Sequence, residues 1–135
     1  MKKPWDLRER TMWFAINVIR FCRDLPRTAE AAEIANQLRR AAGSTGAHYS
    51  ASKRARSNKD FISKMDGAIE ESDEAMFWLN VLLLSEITRD PRAGELRSEA
   101  NELVSIFVAS RTTAVLRAKQ QNQKKRQMNR KNGAY

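Results

Sequence analysis

The sequence holds one cysteine, one histidine and three prolines in 135 residues, and each scarcity closes off a class of protein. A single cysteine, Cys22, makes no internal disulfide, the pattern of a reducing compartment. Cys22 and His48, 26 positions apart, supply neither a zinc ligand set nor a Cys–His nucleophile pair. No metal and no cofactor are therefore expected, and the chain reads as a non-enzyme. Long hydrophobic runs are also missing. The longest, Ala75 to Leu84, is interrupted by Asn80 and falls well short of the ~20 residues that cross a bilayer. The opening Met-Lys-Lys-Pro-Trp-Asp has two lysines but no apolar stretch behind them, so it is not a secretory signal. No membrane is expected as a partner, and the cytoplasm is the expected location.

Acidic residues are the next thing in short supply, and only in certain places. The formal net charge is +9. From Arg117 to Tyr135 there are seven basic residues (Arg117, Lys119, Lys124, Lys125, Arg126, Arg130 and Lys131) and no acid, which leaves only +2 for residues 1–116. A second acid-free stretch runs between Glu33 and Asp60 and contains Arg39, Arg40, Lys53, Arg54, Arg56 and Lys59. Charge concentrated in this way points to an electrostatic partner such as RNA or DNA.

What the chain has in abundance is helical periodicity, and no segment alternates as a strand would. The spacing predicts helices over about 6–24, 28–56, 58–88 and 91–118. Asp6 starts the first, whose stripe is Leu7, Phe14, Val18, Phe21 and Leu25, broadened by Met12, Ala15, Ile16, Ile19 and Cys22. The Leu25–Pro26 step ends it, because a residue before proline resists the α region. Thr28 caps the second, with Ile34, Leu38, Ala41, Thr45, His48 or Tyr49, Ser52 and Ala55 inward. Ser57 and Asp60 open the third at capping-box spacing, with Phe61, Ile62, Met65, Ile69, Met76, Leu79 and Leu83 inward. Asp90–Pro91 opens the fourth, with proline at the first helical position. Short connections make sequential helices antiparallel. The expected fold is all-α: an up-and-down four-helix bundle over residues 1–118, followed by a disordered basic tail, 119–135.

Other constellations have plainer readings. Asp66, Glu70, Glu71, Asp73 and Glu74 cluster on the third helix, but a di-metal bundle also needs Glu-x-x-His motifs, and there are none. They read as a solvated face paired with arginines. Gly43-Ser44-Thr45-Gly46 matches the G-x-x-G of an RNA-clamping loop, but that loop sits among strands. Close helix packing is the better reading. The stretch Met76 to Leu84 is apolar on every face, more than one four-helix core absorbs. Phe77 and Trp78 are therefore expected at an oligomer interface.

Gln37-Leu38-Arg39-Arg40-Ala41, then Ser44, Lys53-Arg54, Ser57-Asn58-Lys59-Asp60-Phe61 and Glu71 with the apolar run after it resemble a known family. It is the bacterial four-helix-bundle family encoded in intervening sequences of 23S ribosomal RNA genes. Trp5-Asp6-Leu7 and Leu25-Pro26 also fit, and the resemblance covers roughly residues 5–116. Where that family carries an Asn-Ile-Ala-Glu-Gly segment, this chain has His48-Tyr49-Ser50-Ala51-Ser52, without the Asn and the Glu. The resemblance implies a homopentamer. It also implies similarity in fold to the accessory protein of diversity-generating retroelements, a basic pentamer that binds nucleic acid and a reverse transcriptase.

Together these readings give one expectation and one rival. The first is a non-enzymatic homo-oligomer that binds RNA or DNA electrostatically, as an accessory to a reverse transcriptase or another nucleic-acid enzyme. The rival is a protein–protein scaffold with no nucleic-acid role.

Overall fold

A computed structural model describes residues 6–133. Trp5 of the opening motif and the final two residues of the tail lie outside the described residues. The order is α1 (Leu7–Arg23), α2 (Ala29–Ser52), α3 (Asn58–Leu84) and α4 (Pro91–Lys131). All four helices start at the caps read from sequence. Asp6 Oδ1 accepts from the Arg8 N–H at 2.9 Å, and Thr28 Oγ1 accepts from the Ala31 N–H at 3.2 Å. Ser57 Oγ accepts from the Asp60 N–H at 3.0 Å, and Asp90 Oδ1 from the Arg92 N–H at 2.9 Å. Each such cap satisfies a backbone donor that the helix itself leaves unpaired, worth ~1 kcal/mol.

The C-terminal ends deviate from the sequence reading. α2 stops at Ser52 rather than 56, and the Arg54 and Ala55 N–H groups turn back onto the Ala51 and Ser52 carbonyls. The chain needs those residues to reverse before Ser57 takes the extended conformation of a cap. α3 stops at Leu84 rather than 88, because Glu86 adopts a left-handed φ of 59°. That residue closes the helix as a glycine usually does.

The helices sit at the corners of a square. α1 packs on α2 and α4, α3 packs on α2 and α4, and the diagonal pairs meet only through side chains in the core. Phe14, Val18 and Phe21 of α1 meet Leu38, Ala41 and Ala42 of α2, Met65, Ala68, Ala75, Leu79 and Leu82 of α3, and Leu96, Leu103 and Phe107 of α4 in one buried cluster. Tyr49, not His48, fills the inward position on α2 and stacks on Phe107 at 5.8 Å between ring centres. Small residues bring the helices close. The His48 ring lies against Gly67, where an added Cβ would come within 2.6 Å of Nδ1. The buried hydroxyls Thr45, Ser52 and Ser72 each bond a carbonyl of their own helix, so the core carries no unpaired side-chain polar atom among the described residues.

α1 and α4 hold two corrections. On α1, Met12, Ile16 and Ile19 do not broaden the core face. They lie opposite it and are exposed, Met12 by 53%. On α4, the tail expected to be disordered continues the helix without a break to Lys131 and is exposed throughout. Gln, Lys, Arg and Met are good helix formers and no Pro or Gly interrupts them before Gly133. Arg130 and Lys131 also sit at the negative end of the helix dipole. α4 is thus 41 residues long, about 60 Å at 1.5 Å per residue.

Candidate nucleic-acid interface

The α2–α3 junction and the outer part of α4 come together at one end of the bundle. Asn58 Nδ2 donates to the Ala114 carbonyl at 2.7 Å, tying the start of α3 to α4 one turn before Arg117. A cleft of about 540 Å³ opens there, with Ser57, Asn58 and Phe61 on one wall and Ser110, Thr113 and Arg117 on the other. Lys53, Arg54, Arg56 and Lys59 surround the first wall and are exposed. Among the described residues none of the four has an acidic partner; Lys53 Nζ lies 5.5 Å from the centre of the Tyr49 ring.

Past Ala118 the helix leaves the bundle as a free arm. Arg117, Lys124 and Lys131 recur at seven-residue spacing and share one face, while Lys119, Arg126 and Arg130 share the opposite face. Lys125 lies between them. All seven are exposed, and no ion pair neutralises any of them among the described residues. Arg117, in the wall of the cleft, links the exposed basic junction to the start of the arm as one candidate surface.

Arg39 and Arg40 are not part of it. They lie more than three turns of α2 before the junction and diverge from each other. Arg39 bonds Asn36 and approaches Cys22, while Arg40 Nη2 donates to Gln37 Oε1 at 2.8 Å and faces Glu71. Elsewhere on the α3 acidic face Arg111 pairs with Asp66. Burial, with the neighbouring Glu74 adding to it, pushes the Glu71 carboxyl up; His48 and Arg40 work against that shift. Burial likewise pushes the Cys22 thiol up.

A second kind of surface is apolar. Phe77 is 56% exposed and meets the edge of Trp78, with ring centres 4.9 Å apart. Trp78 itself is half-buried against the core, and its Nε1–H donates to Glu74 Oε1 at 3.4 Å. Leu84 continues the exposed line on α3. On the diagonally opposite helix, Met12, Ile16 and Ile19 form an outward stripe, flanked by Trp13 under the Arg20 guanidinium at 5.6 Å. The α1 stripe was missed in the sequence reading. Its signal was available, because positions 12, 16 and 19 lie on the far side of the helix from 14, 18 and 21.

Among the described residues no three His, Cys, Asp or Glu side chains are grouped to hold a metal ion, and no helix is long and apolar enough to cross a membrane.

A solved structure with this fold comes from Bacteroides thetaiotaomicron VPI-5482, a protein with unknown function from the S23 ribosomal protein family. It shares 21% identity over 77% of this chain and 96% of its own, with a TM-score of 0.71. Among curated proteins none matches. The family model described as 23S rRNA-intervening sequence protein matches residues 4–109, which takes in α1, α2, α3 and the first half of α4 and stops short of the basic arm. The chain belongs to the 23S rRNA-intervening sequence protein family.

Proposed function

We propose that this protein is a non-enzymatic, cytoplasmic homo-oligomer that binds RNA or DNA through the end of the bundle where the α2–α3 junction meets the α4 arm. The observation that carries this reading is the convergence of two acid-free stretches, far apart in sequence, on one surface. Lys53, Arg54, Arg56 and Lys59 from the first adjoin Arg117 and the arm cations from the second. Unneutralised cations on a shared face release counterions from a phosphate backbone, and that release is the main source of sequence-independent affinity. No known base-reading motif is recognisable in the sequence, so phosphate contacts dominate and sequence preference is small. Arg39 and Arg40 are left with local roles on α2. Such a protein suits service as an accessory to a nucleic-acid enzyme, for which a reverse transcriptase is one candidate.

The apolar stripes on α1 and α3 support assembly. Patches of this kind on opposite corners of a small bundle mark contact surfaces between proteins. The family resemblance favours five copies.

Fluorescence anisotropy with short single-stranded and duplex RNA and DNA at low salt tests the binding. Low-salt affinity that drops when Arg54 and Arg56 are both changed to Glu is expected. Absence of binding to any of these at low salt overturns the reading and leaves a protein–protein scaffold in its place.

A further inference from the structure

The cations explain attraction to any polyanion, but the cleft they surround has a more particular shape. We infer that the cleft between the α2–α3 junction and α4 takes an unpaired base of a single strand, whose neighbouring phosphates rest on the cations around it. This rests on the nucleic-acid reading above and narrows it to one class of ligand.

The volume of about 540 Å³ lies within the range of sites that hold small organic groups. The walls are mixed in the way a nucleobase requires. Phe61 is half-buried and offers an apolar ring to a flat heteroaromatic surface. Around it are short polar groups with bonding capacity left over. Ser57 Oγ accepts from the Asp60 N–H and keeps its own O–H to donate. Asn58 spends Nδ2 on the Ala114 carbonyl, which fixes its side chain and leaves the amide oxygen to accept. Thr113 donates to the Ala109 carbonyl and keeps its lone pairs. Such a set bonds any base edge without demanding one pattern, and stacking is likewise tolerant of base identity. No carboxylate lines the cleft, and Arg117 stands in its wall. A duplex keeps its bases stacked inside and presents only phosphates to such a site. A single strand turns a base out at little cost.

The decisive probe is a strand that keeps its phosphates and loses its bases. Full-length protein is titrated by anisotropy with a short single strand, an abasic strand of the same phosphate count, and a duplex of the same length, all at one salt concentration. The single strand is expected to bind about ten-fold more tightly than the abasic strand, the range that stacking of one base confers. The salt slope should be the same for both, because the phosphate contacts are unchanged. Because Phe61 also packs against the core, Phe61→Ala is a poor test; Thr113→Met narrows the cleft from an exposed position instead, without adding a ring on which a base could stack. With helicity unchanged, this variant should bring the single strand down to the abasic affinity and leave abasic binding as it was. Equal affinity of the single and abasic strands overturns the base-binding cleft while sparing the electrostatic reading. Failure of all three ligands to bind overturns both.

Discussion

Removing residues 119–135 tests whether the α4 arm is the protein's main electrostatic contact. The deletion takes away Lys119, Lys124, Lys125, Arg126, Arg130 and Lys131 and no acid. A strand lying along one side of a rigid helix reaches one face only, and the fuller face carries three of these cations. Three contacts contribute a slope of about −2 in log affinity against log salt, at about −0.7 per single-strand phosphate, and all six contribute about −4. Between 50 and 200 mM salt the affinity of the full chain should therefore fall by about 20-fold to about 300-fold more than that of the truncated one. The arm buries nothing, so truncation should leave the melting temperature unchanged and remove only its own helical signal. Anisotropy titrations across salt give the slope, and circular dichroism checks the fold. Replacing Lys124 and Lys131 with Gln, and separately Lys119, Arg126 and Arg130, distinguishes the faces. A helical arm makes one set matter more; a coil makes each charge matter alike. An unchanged slope after truncation would refute the arm's role.

Three further expectations concern the bundle itself. Leu79 is fully buried in the core cluster, and Leu79→Ala should cost about 2–5 kcal/mol in denaturant melts, with a loss under ~0.5 kcal/mol contradicting the core assignment. Glu71 binds its proton more tightly in the folded state than at the ordinary value of 4.5, so its ionised form costs stability at neutral pH. Glu71→Gln should accordingly be more stable than the parent at pH 7, and the difference should disappear as pH falls through the raised value towards 4.5; a gap independent of pH would contradict the shift. Glu86 holds a left-handed φ of 59°, which costs a residue with a Cβ roughly 1 kcal/mol, so Glu86→Gly should raise stability by about that much. A destabilised Gly variant in thermal melts would mean that the Glu86 side chain contributes more than its backbone costs.

Most of the bundle was legible because its signals are local. Asp6, Thr28, Ser57 and Asp90 cap helices by contacts spanning two or three residues, and Leu38, Leu79, Leu103 and Phe107 repeat at helical spacing. The helix ends were less so, since Glu86 stops α3 with a backbone conformation that its residue type does not announce. The tail was read from its polarity as disordered, although polarity says only that it has no core to join. The face of α1 was misassigned because apolar residues on both sides of a helix look like one wide stripe until tertiary contacts choose between them. For the candidate interface, sequence located each cation, but which of them meet is a matter of helix lengths and pairing. That pairing put Arg117 beside the Ser57–Phe61 turn and left Arg39 and Arg40 elsewhere. Ser110 falls on the inward stripe of the fourth helix with Leu103, Phe107 and Ala114, but nothing in the sequence marks it or Thr113 as lining a cleft.

The placement of the two apolar stripes constrains how copies join. α1 and α3 occupy diagonal corners and run in the same direction, so a contact between them in different copies is head-to-tail. Their heights can be compared through α4. Arg92 bonds Asp24 at 2.7 Å, and Arg97 bonds Asn80 at 3.0 Å. Ile16 then lies about 12 Å below the level of Arg92, counting 1.5 Å per residue along α1, and Phe77 lies about 12 Å below it, counting along α4 and then α3. In the proposed oligomer, unlike faces at equal height join without axial rise; because they lie on opposite corners, the contacts close into a ring only if successive copies also turn about the bundle axis, and otherwise extend as a row. Every α4 arm of the proposed oligomer leaves from the same side, which would raise the effective concentration of cations around a bound strand. A mixing experiment tests the arrangement. Ile16→Lys spoils the α1 face and leaves α3 intact, and Phe77→Lys does the reverse. By light scattering each variant alone should be monomeric at micromolar concentration, while the two mixed should form a dimer through their one remaining complementary pair of faces. If either variant alone still dimerises, that stripe pairs with its own kind. A monomeric parent protein would refute the assembly altogether.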